Sequence, residues 1–308
     1  MSLRKMSGRT LLFSVVLLCF LPLLPAEAQD VDVPGNLTMR NSTATQGNIL
    51  KAGVTFLHNF GIANTFLGSN AGNLTMSGGF NTASGTGALR FNTTGNSNTA
   101  IGNGALVNNS SGFVNTAIGA GALASNTSAD RNTACGALAL ASNTTGILNT
   151  ATGGEALRSN TLGNFNTASG FAALVSNTTG GQNTANGREA LVFSTTGDSN
   201  TATGYQALFS NTTGSNNTAL GAFANVAPGL DNLTNATAIG AGAVVNASNK
   251  IRLGNETVTV IEGLVGFTAN SDRNRQETFQ PVRREEVLSK IRRLSLTSWN
   301  FIGQDPGR

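Results

Sequence analysis

"NTTGNSNTAIGNGALVNN", residues 92–109, reads in isolation as a polar linker, yet its pattern returns along most of the chain. Asn-Thr pairs start at Asn64, Asn81, Asn98, Asn115, Asn132, Asn149, Asn166, Asn183, Asn200 and Asn217, always at the same step of seventeen. From Asn81 to Asn200 the unit is N-T-A-x-G-x-x-A-L-x-x-N-T-T-G-x-x, and its Ala-Leu pair keeps the same offset, as at Ala88-Leu89, Ala105-Leu106 and Ala139-Leu140. A fixed period in this range marks stacked structural units.

Such a unit is too short for a helix pair, whose repeats run to ~34, and the density of Gly, Asn and Thr disfavours helix. The spaced leucines of a leucine-rich repeat are absent, as is the Gly-Gly-x-Gly-x-Asp run of calcium-binding rolls. What remains is an all-β fold, a β-solenoid or β-roll of 17-residue coils built from short strands and tight turns. Ten coils at the ~4.8 Å strand spacing make a rod about 50 Å long. Gly85, Gly102, Gly119 and Gly136 recur where a coil corner needs positive φ. Asn is the next best corner residue, and stacked Asn amides can hydrogen-bond along a ladder.

The Ala-Leu pair offers one medium and several small inward side chains per coil. Their burial recovers far less than the cost of ordering a whole coil, so one coil cannot stand alone and must stack. So thin an interior also predicts that one face is buried against other chains, as a homotrimer. Exposed strand edges at the rod ends require caps, and residues 29–63, with the alternating stretch from Ala52 to Phe60, are expected to cap the start.

Composition narrows the function classes. Charged residues are 11% and aromatics 6% of 308 residues, too few for an ordinary thick core, while 39% hydrophobic content at a net charge of +4 argues against a disordered chain. Arg4, Lys5 and Arg9 precede an apolar run from Leu11 to Leu24 and the small-x-small site Ala26-Glu27-Ala28, the layout of a secretory signal cleaved after Ala28. The run falls short of the ~20 residues of a membrane-spanning helix, so a secreted or surface location without a transmembrane segment in the mature chain is expected. Cleavage leaves 16 basic and 14 acidic residues, which gives no reason to expect nucleic acid.

Few residues invite chemistry. His58 is the only histidine, so His-based triads and multi-His metal sites lack raw material, and neither cofactor nor metal is expected. Cys19 lies in the apolar run, leaving Cys135 alone in the mature chain, at a variable coil position and without a disulfide partner. Triplets such as Asn92-Thr93-Thr94 and Asn143-Thr144-Thr145 match a glycosylation acceptor, although their repetition follows equally from the coil. The Thr pairs Thr93-Thr94, Thr144-Thr145, Thr178-Thr179 and Thr212-Thr213 would form an array suited to ice, an array broken at Ser110-Ser111, Thr127-Ser128 and Thr161-Leu162. Arg283-Arg284 and Arg292-Arg293 read as the solvated face of a helix over 285–295.

Two stretches carry resemblances. Ala236-Thr237-Ala238-Ile239-Gly240-Ala241-Gly242-Ala243 follows a break in the period at Pro228, and Ile251-Arg252-Leu253 and Thr257-Val258-Thr259-Val260 flank a Gly-Asn turn. These residues resemble the head and neck of trimeric autotransporter adhesins, which implies an adhesive role, a surface or glycan ligand, and trimers. Residues 271–301, "SDRNRQETFQPVRREEVLSKIRRLSLTSWNF", resemble the opening of the intramolecular chaperone of phage endosialidases and tail spikes, in Ser271-Asp272, Pro281, the stripe Val287, Leu288, Ile291, Leu294, and Trp299-Asn300-Phe301. The resemblance implies a trimerisation domain that cuts itself off, with Ser271 as nucleophile and scission after Asn270. Such a hydroxyl needs a neighbouring base, and the family's Lys position holds Gln276. Either the segment is a shortened or decayed copy without self-cleavage, or Lys290 substitutes.

The expected organisation is a signal peptide over 1–28, a cap over 29–63, the solenoid over 64–247, a β neck over 248–270 and a partial, helix-containing chaperone segment over 271–308. An adhesive or structural fibre is the leading expectation, with a Ser271 auto-protease and an ice-binding solenoid as alternatives.

Overall fold

The computed structural model describes residues 41–260. The expected signal segment, Ser271, Gln276, Lys290 and the helix expected over 285–295 lie outside the described residues.

Each Asn-Thr pair opens one three-residue strand of sequence Thr-Ala-x, as the alternation of a half-buried strand requires: Thr and x point out and Ala points in. The first rung is β3 (Thr65–Leu67), followed by β4 (Thr82–Ser84) and onward at the sequence period through β11 (Thr201–Thr203) and β12 (Thr218–Leu220). Adjacent rungs pair parallel and in register, Thr99 opposite Thr116, Ala100 opposite Ala117 and Ile101 opposite Ile118. The remaining sides of the coil also bond to the next rung, through Leu89 N–H to Ala105 O at 3.1 Å and Thr93 N–H to Ser110 O at 2.9 Å. The result is a β-solenoid, with no helix among the described residues.

At the start, β1 (Ile49–Lys51) and β2 (Val54–His58) form an antiparallel hairpin whose second strand lies antiparallel on β3. The hairpin thus extends the sheet beyond the first parallel rung and leaves β1 as its edge strand. At the other end the sequence break does not break the sheet. The coil after Asn217 lengthens around Pro228, so that β14 (Thr237–Ile239) still pairs in register with β12, and a shorter coil brings β16 (Ile251–Leu253) onto β14. The variant stretch at 236–243 is therefore out of step in sequence and in step in space. In these coils a second side becomes regular strand as well, β13 (Asn225–Val226) against β15 (Val244–Val245). Of the two runs read around the Gly-Asn turn, Thr257–Val260 forms no strand; Ile251–Leu253 is one more rung of the same sheet.

Ala83, Ala88 and Leu89 and their equivalents are buried within a single chain, as are two Asn per coil. The core side chains are thus already covered within one chain. Asn sits inside, and not at corners as its turn propensity suggests: none of the repeated Asn from Asn64 to Asn217 that open the strands has positive φ. The corners are taken by Gly153 (φ 126°), Glu155 (φ 60°), Leu157 (φ 52°) and Phe165 (φ 59°) and their counterparts. Gly153 is irreplaceable on two grounds, its positive φ and the absence of room, because a Cβ there would lie 2.6 Å from the Gly170 carbonyl of the next rung. Leu157 occupies the left-handed region at a cost of about 1–2 kcal/mol, offset by burial of its side chain and by its N–H bond to Ala173 O at 3.0 Å.

The Asn side chains are held inside by the carbonyls they satisfy. In the first ladder, the Asn98 N–H donates to Asn81 Oδ1 at 3.0 Å, and Asn115 repeats the bond onto Asn98. In the second, Asn109 Nδ2 donates to Asn92 Oδ1 at 2.8 Å and Asn126 Nδ2 to Asn109 Oδ1 at 2.7 Å. Both ladders meet on one atom per rung: Gly112 O accepts from Asn98 Nδ2 at 2.8 Å and from Asn109 Nδ2 at 3.0 Å. The second ladder has one gap, at Ser194, whose hydroxyl is too short to reach either neighbour. Asn177 Oδ1 and Ser194 Oγ are both buried there without a hydrogen-bond partner. Ser194→Asn is expected to close the gap and stabilise the rod by about 1 kcal/mol, read as a higher denaturant midpoint; an unchanged or lower midpoint would mean that the missing amide costs nothing.

Candidate functional surface

Residues that could do acid–base or metal chemistry are scattered, and no group of three or more His, Cys, Asp or Glu side chains comes together among the described residues. His58 is in the cap, 4% exposed, 4.7 Å from the Phe66 ring. Its Nε2 donates to Ala71 O at 2.7 Å while Nδ1 accepts from the Phe60 N–H at 3.3 Å, which is the pattern of the neutral ring. Burial lowers its pKa below the usual histidine value, opposed in part by the bond to Ala71. Cys135 points outward from the middle of the sheet and is exposed and unpaired. The acceptor triplets at Asn92 and Asn143 are sealed, because both Asn side chains are inner-ladder members with no exposed surface.

The outer surface is where the coils differ, and strict register turns every outward position into a column. One column is unbroken: Thr65, Thr82, Thr99, Thr116, Thr133, Thr150, Thr167, Thr184, Thr201, Thr218 and Thr237 stand opposite one another in successive strands. Beside it runs a varied column from Leu67 through Ile101, Ile118, Cys135 and Asn186 to Leu220 and Ile239. Neither column contains a charged residue between β3 and β14. Ile101, Ile118, Leu220 and Ile239 are each 38–51% exposed.

The Thr pairs expected to form an array behave differently. The first Thr of each is spent on stacking, with Thr93 Oγ1 donating to Ser110 O at 2.8 Å and Thr144 Oγ1 to Thr161 O at 3.1 Å. The hydroxyls of the strand column make no hydrogen bond within the described residues. That column is legible in the sequence as the Thr of every Asn-Thr pair; reading the pair as a corner, instead of as a strand with Ala at its centre, hides it.

A third set of columns lies at the corner after each strand, two residues wide. In the early coils it holds small residues, such as Thr86-Gly87 and Asn103-Gly104, and a Cβ at either glycine would meet nothing. From Phe171 to Phe223 it holds Phe171, Arg188 with Glu189, Tyr205 with Gln206, and Phe223. The Tyr205 and Phe223 rings meet edge to face at 5.0 Å, and the Arg188 guanidinium lies 5.8 Å from the Tyr205 ring. Glu189 accepts from Gln206 Nε2 at 2.6 Å and pairs with Arg188 Nε at 2.9 Å. The hydrogen bond from Gln206, aided by Arg188, holds the Glu189 carboxyl below the usual range.

These features define the class: a parallel β-solenoid whose coils vary mainly on their outer columns. No family model, curated protein or solved structure matches the chain.

The His58 environment sets the sign of one pH effect. With its folded pKa depressed, the neutral ring contributes stability that is complete above the unfolded value of about 6.5 and is lost as pH falls through the folded value. The wild-type protein should therefore lose more thermal stability between about pH 7 and about pH 5 than His58→Gln does. Parallel pH profiles of the two would contradict the assignment.

Proposed function

We propose that the protein is a secreted or surface-exposed fibre whose rungs present repeated side chains laterally, in an adhesive or structural role, and that three copies assemble along the outer face of the long sheet. One observation carries the assembly: that face is free of charge at both outward positions over its whole repeated length, while exposed Ile and Leu side chains lie along it. A solvent-facing sheet of this length ordinarily carries charge to stay soluble and to block pairing. Charges occur elsewhere on the same coils, at Arg158, Arg188 and Asp198, so the fold itself does not exclude them. The secretory pattern at 1–28 and the resemblance to trimeric adhesin heads and to a trimerisation chaperone support the same reading.

The unbroken Thr column favours a second reading, an ice-binding face, because its hydroxyls are free, evenly spaced and in register. The two readings compete for one surface. Sedimentation equilibrium of the mature chain separates them: a trimer that falls to monomer in Thr150→Arg/Thr184→Arg with unchanged circular dichroism supports assembly. A monomeric wild type with thermal hysteresis, abolished in the same double variant, would replace assembly with ice binding. The intact mass of that preparation also addresses Ser271, since a fragment beginning there and lost in Ser271→Ala would establish self-cleavage.

A further inference from the structure

We infer that the corner running from Phe171 to Phe223 is a binding site for an extended polysaccharide lying along the rod axis. The inference rests on the adhesive reading and assigns a place on the rod, and an extended form, to the glycan ligand that reading implies.

Packing does not explain these residues. The same two-residue corner is filled by Thr86-Gly87, Asn103-Gly104 and Ala120-Gly121 in earlier coils with no loss of register, so the fold does not require large side chains there. Phe171, Tyr205 and Phe223 are nevertheless 39–52% exposed. Aromatic rings held half in water, on rungs of a kind that accept small residues, are available for a ligand.

Their arrangement selects the ligand. Phe171 and Tyr205 stand two rungs apart, about 10 Å at the strand spacing, on a scale comparable to a disaccharide unit. The rung between them carries Arg188 and Glu189, and Gln206 ties Glu189 from the following rung. These polar groups are fixed by one another before any ligand arrives, which lowers the ordering cost of binding. Capacity is left over: among the described residues no hydrogen bond engages the Tyr205 hydroxyl, Gln206 Oε1 or the terminal guanidinium nitrogens of Arg188. Apolar ring faces alternating with hydrogen-bonding groups fit a pyranose chain, whose C–H faces stack on rings while its hydroxyls reach sideways.

The site lies at the corner after each strand and not in the uncharged columns of the sheet face. Affinity electrophoresis of the mature protein through gels containing hydroxyethylcellulose or soluble chitin, with dextran as the coiled control, tests the proposal. The wild type is expected to be retarded by at least one extended polymer and not by dextran. Tyr205→Ala and Phe171→Ala should each weaken retardation on the order of tenfold, whereas Phe80→Ala, an exposed ring on another column, should not. Circular dichroism and the unfolding midpoint of each variant check that the rod is intact. A wild type that neither extended polymer retards, or a folded Tyr205→Ala retarded like the wild type, would overturn the proposal. A folded Tyr205→Ala that is retarded like the wild type and still adheres to cells would leave the adhesive reading standing and this one refuted.

Discussion

Two columns of buried asparagine amides, joined at one backbone carbonyl in most coils, hold the stacked coils in place. An amide inside a protein is costly unless its donors and acceptor are used. Here most are used by the rung before, the rung after or the shared carbonyl, as at Asn98, Asn109 and Gly112. The arrangement works only when the next Asn falls in the same place, which is why the period is kept without a slip from Asn64 to Asn217. Apolar burial by Ala and Leu is non-directional and would tolerate a slipped register better; the amide ladders do not. The ladder also has a defined stop, where Ala236 donates its N–H to Asn217 Oδ1 at 2.9 Å and offers no amide to the next coil.

Holding the interior constant frees the exterior. Coil corners carry backbone strain at Leu157, Glu155 and Phe165, but that strain is met by bonds and burial belonging to the repeated positions. Outward side chains at the strand and corner therefore vary without touching the core. Gly104 and Tyr205 belong to the same pair of corner columns although they share no chemistry. Such a scaffold suits lateral display: each outward position becomes a line of side chains at a fixed pitch. The one outward position that does not vary, the Thr of every repeated strand, stands out for that reason, because the neighbouring position accepts Ser, Asn, Cys, Ile and Leu on equivalent strands.

Much of this is legible in the chain alone, and the rest is hidden for physical reasons. The constant period and the inward Ala-Leu pair lead directly to a solenoid, and Gly85, Gly102, Gly119 and Gly136 do take positive φ. Amide ladders follow from the repeated Asn as well, but their location does not, since turn propensity describes Asn in isolation while a stacked amide gains more inside. The thin interior suggests dependence on other chains; the core residues are already buried within one chain, so assembly is argued from the uncharged outer face of the sheet instead. Continuity through Pro228 is hidden, since a longer coil followed by a shorter one restores spatial register that a fixed-period alignment loses. The proposed corner site has no local sequence signal, as Phe171, Arg188 and Tyr205 lie on three successive coils and align only once the stacking is known.

The central claim, that stability is a nearest-neighbour property of rungs locked by the amide ladders, is tested most directly by thermal unfolding of two internal deletions. Removing residues 149–165 takes out one whole coil and leaves Asn132 facing Asn166. Removing residues 149–164 instead leaves one extra residue, Phe165, between the Leu148 corner and the ladder Asn166. Both ladders must cross that coil, unlike the longer coil around Pro228, which lies where the ladders end. The account requires the first variant to unfold cooperatively near the wild-type midpoint and the second to lose its midpoint or its β spectrum. Equal tolerance of both deletions, or equal loss in both, would contradict it.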